Sequence, residues 1–227
     1  MTNLLIALGA FLALHSVPAI PPVRAGAIAM LGRRTYLGLY SLVSVLVLAW
    51  VFQAALATDY IPLWEPAGWQ AKVTLVTAPI GVLLVLAGLV SANPLSITMR
   101  QDVSPGAITT VTRHPVLWGF LFWSLGHLVP NGDLRSLILF GGLALFTVSG
   151  FALLDRRARK RLGGRFAQMA RASSLVPFAA VLSGRNQLRV DASLLLSALT
   201  AAAITGWLLL GGHALLFGAD PLLATTF

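Results

Sequence analysis

Cysteine is absent from the 227 residues. Its absence excludes disulfides, thiolate-bound metals and a thiol nucleophile. Charge is scarce as well: only 10% of the chain is Asp, Glu, Lys or Arg, where a soluble domain carries about 25%. Seven residues are acidic, and none falls inside an apolar run. A transporter moving protons on buried carboxylates is therefore disfavoured. What the chain has in abundance is hydrophobic sequence, 57% of residues, with a mean hydropathy of +0.84. These values describe an integral membrane protein, expected as a single domain over residues 1–227.

The net charge of +9 raises nucleic-acid binding as an explanation. In a polytopic chain positively charged loops account for such an excess, and no nucleic-acid partner is expected. The first twenty residues have the length of a signal peptide. However, no Lys or Arg precedes Arg24 and no A-x-A site follows the apolar run, so the segment reads as a retained helix.

Six apolar stretches are expected to be helical, at about 3–21, 34–57, 72–92, 115–130, 134–154 and 192–217. Most approach the ~20 residues that cross a bilayer. Pro18, Pro21 and Pro22 close the first, Pro94 follows the third, and Asn131-Gly132-Asp133 turns the chain between the fourth and fifth. Of the 16 basic residues, 14 fall in the odd-numbered loops: Arg24, Arg33 and Arg34, then Arg100 and Arg113, then nine between Arg156 and Arg189. Lys72 and Arg135 lie on the other side with Asp59, Glu65, Asp133 and Asp220. The positive-inside rule then predicts an all-α polytopic protein with about six transmembrane helices and both termini on the outer side. Trp64 and Trp69 read as an interfacial anchor. Residues 155–190 mix basic residues with Leu162, Phe166, Met169, Leu175, Val176 and Phe178. That mixture predicts an amphipathic helix on the cytoplasmic leaflet, its cations toward anionic lipid headgroups.

Histidine within an apolar span is costly and generally faces a partner, a cofactor or water. His15 and His127 lie on separate predicted helices, with apolar neighbours. Two such imidazoles could sandwich a haem, or could bond across helices to Ser16, Ser44, Ser124 or a carbonyl. His114, before Pro115, reads either as an interfacial cap or as a functional residue, and His213 as an interface residue. His114 and His127 are separated by about 20 Å along one helix and cannot share an iron. Predicted depths differ by roughly 8 Å for His15 and His127, and by roughly 12 Å in the opposite sense for His15 and His114, a weak preference for the first pair.

Several motifs carry a resemblance. They are Leu14-His15-Ser16, Gly32-Arg33-Arg34-Thr35-Tyr36, Arg113-His114-Pro115 with Trp118-Gly119, Leu125-Gly126-His127 and Asn131-Gly132-Asp133, continuing through Leu154-Asp155-Arg156-Arg157, Ser174-Leu175-Val176-Pro177-Phe178 and Gly184-Arg185. In this order, over nearly the whole chain, they resemble the NnrU family and, more distantly, the 15-cis-zeta-carotene isomerases. The resemblance implies a bacterial inner-membrane protein linked to denitrification, with nitrite and nitric oxide reductases or their assembly factors as partners. Its isomerase branch implies haem b with axial ligands at His15 and His127. Arg33, Arg34 and Arg113 border those helices and are candidates for the haem propionates, with His114 beside them. The isomerases have a cysteine where this chain has Ser124, so a thiolate switch is not available here.

Arg-His-Pro before a helix, with a basic segment ending in Val-Pro-Phe, is also similar to isoprenylcysteine-type membrane methyltransferases, which bind S-adenosylmethionine with an acidic pair. Only Asp155 stands where that pair would be. Three readings follow: a haem-binding membrane protein with isomerase or redox chemistry, a non-enzymatic scaffold for reductase assembly acting through residues 155–190, and a methyltransferase.

Overall fold

The computed structural model describes residues 1–100 and 104–226. Among them the regular structure is helical, with one isolated bridge between Pro62 and Asp133. The chain forms two compact units, one of Met1–Glu65 with Gly132–Gly142 and one of Pro66–Asn131 with Leu143–Phe227.

The first unit holds α1 (Thr2–Ser16), α2 (Pro21–Leu31) and α3 (Arg33–Leu56). α1 packs on α3, burying Leu4, Ala7 and Leu8 on one helix and Val51, Ala54 and Ala55 on the other. The expected first span is broken. Pro18 sits in a 3-10 turn, Val17–Ala19, and Pro21 and Pro22 open α2, which leaves α1 at an angle of 84°. Proline lacks the N–H that would continue the ladder but suits a helix's first turn. At Gly132 and Asp133, the expected turn between the fourth and fifth stretches, the chain is clamped. Leu63 and Trp64 both donate their N–H to the Gly132 carbonyl, at 2.7 and 3.1 Å, and a side chain at Gly132 would collide with Trp64. Asp133 caps the next turn by accepting from the Ser136 N–H and hydroxyl at 3.1 and 2.7 Å. Trp64 is thus half-buried and structural, while Trp69 is exposed.

The second unit is built on α4 (Gly68–Val90) and α5 (Pro115–Leu128). The two helices approach backbone to backbone. A Cβ on Gly119 would lie 2.6 Å from the Gly81 carbonyl oxygen, and one on Gly81 2.7 Å from that of Gly119. Gly88 and Gly126, each seven residues farther along, meet Val116 and Thr77 just as closely. Small residues at such spacing let helices pack closely in lipid, where hydrophobicity does not drive association. Thr74 exploits the proximity, donating its hydroxyl to the Gly126 carbonyl at 2.6 Å. Leu84 and Ala87 of α4 form a core with Ile108 and Val111, bordered by Trp118 and Phe122.

α6 (Gly142–Leu162) continues a helical run that starts at Leu134. It is followed by α7 (Arg165–Arg171), α8 (Ala192–Trp207) and α9 (His213–Phe217). Asp191 caps α8 through the Leu194 N–H at 2.8 Å, and its other oxygen takes the Ala107 N–H at 2.8 Å. Between α8 and α9 the helix breaks at Leu208–Gly212, where Gly211 has φ +116°.

Four helices are long and apolar enough to cross a membrane: Arg33–Leu56, Gly68–Val90, Leu134–Leu162 and Ala192–Phe217. The bent pair α1–α2 makes a fifth if taken as one span. The protein is a multi-pass membrane protein. The expected fourth span is α5, with only 14 residues, about 21 Å of rise. The expected surface helix over 155–190 is also corrected. Arg156–Arg161 belong to the last turns of α6, and only α7 and the turn Ala179–Leu182 follow. A helix started in an apolar run continues into a basic one because Arg and Lys are good helix formers and suit a C-terminal dipole.

Gly119→Val should force α4 and α5 apart, at a cost of roughly 1–3 kcal/mol. The expected result is a lower Tm of the purified protein in detergent, with Gly9→Val, where a Cβ meets nothing within 4 Å, close to wild type.

Candidate functional site

α5 begins at a polar junction. Thr112 is extended (φ −157°), and Arg113 donates its N–H to the Ser174 carbonyl at 2.9 Å. Asn93 donates to the Arg113 carbonyl at 3.0 Å. These bonds hold His114 inside the protein with 0% exposure. Its Nε2 lies 2.8 Å from Asp155 Oδ1 and its Nδ1 2.9 Å from the Ser96 hydroxyl. A carboxylate only accepts, so Nε2 carries the proton and Nδ1 accepts from Ser96. Arg113 grips the same carboxylate with two donors, Nε to Oδ1 at 3.0 Å and a terminal nitrogen to Oδ2 at 2.6 Å. Burial holds the His114 pKa below the ordinary value, against the opposing pull of Asp155, so the ring is neutral near pH 7.

His114 stands at the N-cap position of α5 without a side-chain capping bond, and both its ring nitrogens are engaged. Arg113 is the partner of Asp155. Ser96 and Asp155 are the members that sequence reasoning missed as partners. The signal available was that Asp155 is the one acid directly after the fifth apolar stretch, with basic residues crowding it.

His127 stands near the other end of α5. Its Nδ1 donates to the Trp123 carbonyl at 2.8 Å, and its ring lies 4.4 Å from the Trp123 ring. Asn131 donates to the His127 carbonyl at 2.6 Å. With the Nδ1 proton committed, the lone pair is on Nε2, the tautomer that suits a metal. His127 lines a cavity of about 380 Å³ whose other walls include Thr74, Pro79, Trp123, Leu209 and His213. His213 is likewise oriented, Nδ1 donating to the Ala219 carbonyl at 2.7 Å. The break at Leu208–Gly212 directly precedes His213. The expectation of a simple interface residue overlooked this shared cavity, which arises from a helix break that periodicity does not reveal.

In the first unit His15 is the penultimate residue of α1. The span expected to continue to residue 21 had put it deeper. Its Nδ1 donates to the Phe11 carbonyl at 2.8 Å, and its ring lies 4.2 Å from Phe11 and 5.9 Å from Tyr40. Arg33 and Arg34 open α3 and are exposed. The same device thus recurs at His15 and His127: an aromatic residue four positions earlier lies tilted against the ring, and its backbone carbonyl accepts the Nδ1–H. For that proton the helix backbone, and not Ser16, Ser44 or Ser124, is the partner, because the i−4 carbonyl is already within reach. Ser44 and Ser124 keep buried hydroxyls without a hydrogen-bond partner among the described residues. His15 and His127 belong to different units. No group of three or more His, Cys, Asp or Glu suited to a metal ion occurs among the described residues.

The family described as "NnrU protein" matches residues 3–221. The 15-cis-zeta-carotene isomerase, chloroplastic, of Arabidopsis thaliana is 34% identical over 84 residues, 37% of this chain and 23% of that protein. Its counterpart from Zea mays is 33% identical over the same shares. The matched stretch thus covers less than a quarter of either isomerase. No solved structure matches.

Two outcomes test the junction. Asp155→Asn should destabilise the protein by roughly 3 kcal/mol, because it leaves a largely buried guanidinium without its counter-charge, and thermal unfolding in detergent reads this. The second is a pH dependence. An unfolded chain protonates His114 near 6.5 while the folded one resists, so stability should fall as pH drops through 6.5 toward the lower folded value. His114→Gln should flatten that slope.

Proposed function

The chain belongs to the NnrU family, and from that premise we propose a haem-binding protein of the bacterial inner membrane that supports nitric oxide and nitrite metabolism. The observation that carries the haem reading is His127: an imidazole whose Nδ1 proton is fixed on the Trp123 carbonyl, with the ring at the wall of an apolar cavity. Haem prefers a dry pocket with a neutral imidazole ligand, and His127 supplies such an imidazole at this cavity. His15, with the same tautomer lock, would be the second residue to hold it, as the family resemblance implies.

When bound, haem b would supply redox or gas-ligand chemistry. The chain's own residues do the positioning. Trp123 and Phe11 hold the two rings and fix their tautomers, which leaves each Nε2 as the basic nitrogen. Arg33 and Arg34, exposed at the start of α3, are the cations suited to propionates. Arg113, the third cation that the resemblance implies, is bonded to Asp155. Ser124 offers a hydroxyl and no thiolate, so ligand exchange through sulfur plays no part. The isomerases lend only a reaction type, since a shared fold does not fix substrate. In this reading α5 and the bent α1–α2 pair also cross the bilayer, which gives six spans, outer termini and cytoplasmic basic loops.

A second reading, a scaffold for reductase assembly, draws on residues 156–190, where nine basic side chains occur and no acidic one. The methyltransferase reading loses its support, because Asp155 already serves Arg113 and His114.

An absorption spectrum of the purified protein, expressed with ample haem, tests the first reading. A Soret band is expected, and it should be lost or shifted in the His15→Ala, His127→Ala double variant. No band, or an identical spectrum in the variant, overturns it. The scaffold predicts instead a co-purifying reductase component, released when Arg156, Arg157 and Lys160 are neutralised.

A further inference from the structure

The basic segment is not uniform. Arg159 lies over the Phe166 ring, 5.0 Å from its centroid, and Arg161 donates to the Pro94 carbonyl. Arg171 and Arg185 are placed differently. Together with Gln168 and the small residues Gly164, Ala167 and Ala172, they line a surface depression of about 660 Å³.

That depression is held open by specific bonds. Arg171 closes the last turn of α7. The Ser183–Asn186 loop turns at Gly184 (φ +70°) and is tied back to that helix end. Arg185 donates from a terminal nitrogen to the Arg171 carbonyl at 3.3 Å and from Nε to the Ser183 hydroxyl at 2.9 Å. Asn186 donates to the Ala172 carbonyl at 2.5 Å. The Arg185 fork is therefore oriented before any ligand arrives, which lowers the entropy lost on binding.

Apolar side chains stand in the adjoining stretch. Val176 is 57% exposed, Phe178 46% and Leu182 84%. Phe178 occupies the left-handed region at φ +63°, which side-chain-bearing residues rarely adopt. Its N–H is anchored on the Val111 carbonyl at 2.7 Å. The fold thus maintains an exposed aromatic at a backbone cost. Free phosphate has no use for such residues, whereas a lipid presents a phosphate and an acyl chain in one molecule.

We propose that Arg171 and Arg185 bind the phosphate of an anionic phospholipid, with Val176, Phe178 and Leu182 against its acyl region. Guanidinium groups match phosphate geometry, and residues 156–190 contain no acid of their own to pair with them. The site is independent of haem.

The test is native mass spectrometry of the full-length protein in detergent, titrated with phosphatidylglycerol, phosphatidylcholine or inorganic phosphate. Phosphatidylglycerol should bind in preference to phosphatidylcholine and resist displacement by phosphate. Arg171→Gln with Arg185→Gln should weaken it roughly 10- to 30-fold. Arg156→Gln with Arg165→Gln, an equal loss of charge at exposed positions, should change it little. Leu182→Ser, at a position without a role in the core, should weaken binding several-fold and guards against misfolding of the arginine pair. Equal weakening by both arginine pairs, equal binding of phosphatidylcholine, displacement by phosphate, or no effect of Leu182→Ser would each overturn the proposal.

Discussion

One carboxylate organises the second unit. Asp155 accepts from Arg113 and from His114, and so joins the later turns of α6 to the start of α5. His114 passes the contact on to Ser96, in the loop after α4. Three segments far apart in sequence are thus linked through His114, which bonds Asp155 on one side and Ser96 on the other. Each bond depends on the others. Without Arg113 the carboxylate would be partly desolvated with too little counter-charge, and without Asp155 the His114 proton would have no acceptor in a buried place. Polar groups in such surroundings are stabilising only when all are satisfied. That interdependence explains why Arg-His-Pro is conspicuous in the chain although none of its members faces the cavity.

The junction also serves the rest of the unit. It fixes where α5 begins, and the close glycine contacts with α4 fix how α5 lies. From there the position of His127 follows, three turns along, with its ring against Trp123 and its edge at the cavity. The Thr74 bond to the Gly126 carbonyl secures the same turn. The two ends of α5 therefore have different work: a saturated polar knot at one and an oriented imidazole at the other.

The helix breaks follow a common logic. Pro18, Pro21 and Pro22 bend the first apolar stretch, and Gly211 breaks the last. In a bilayer such breaks leave backbone groups to be satisfied locally. Near Gly211 the local solution brings His213 into the cavity of His127.

Much of this was legible in the residues. Composition declared a multi-pass membrane protein, the apolar runs located α3, α4, α6 and α8, and the motifs named the family. The prolines announced an end to the first helix near residue 21, though not the 84° turn. The roles of the polar residues were not legible. Arg113 and His114 read as rim and cap because their partner lies 41 or 42 residues away, and periodicity carries no distance between helices. His213 read as an interface residue because a glycine-dependent break leaves no mark on hydropathy. The sequence by itself determined helical class, membrane residence and family, since these follow from local composition and ordered motifs. Tertiary structure alone decided which imidazole is saturated, which is oriented at a cavity and which arginines stay at the surface, because hydrogen-bond partners are set by packing between distant segments.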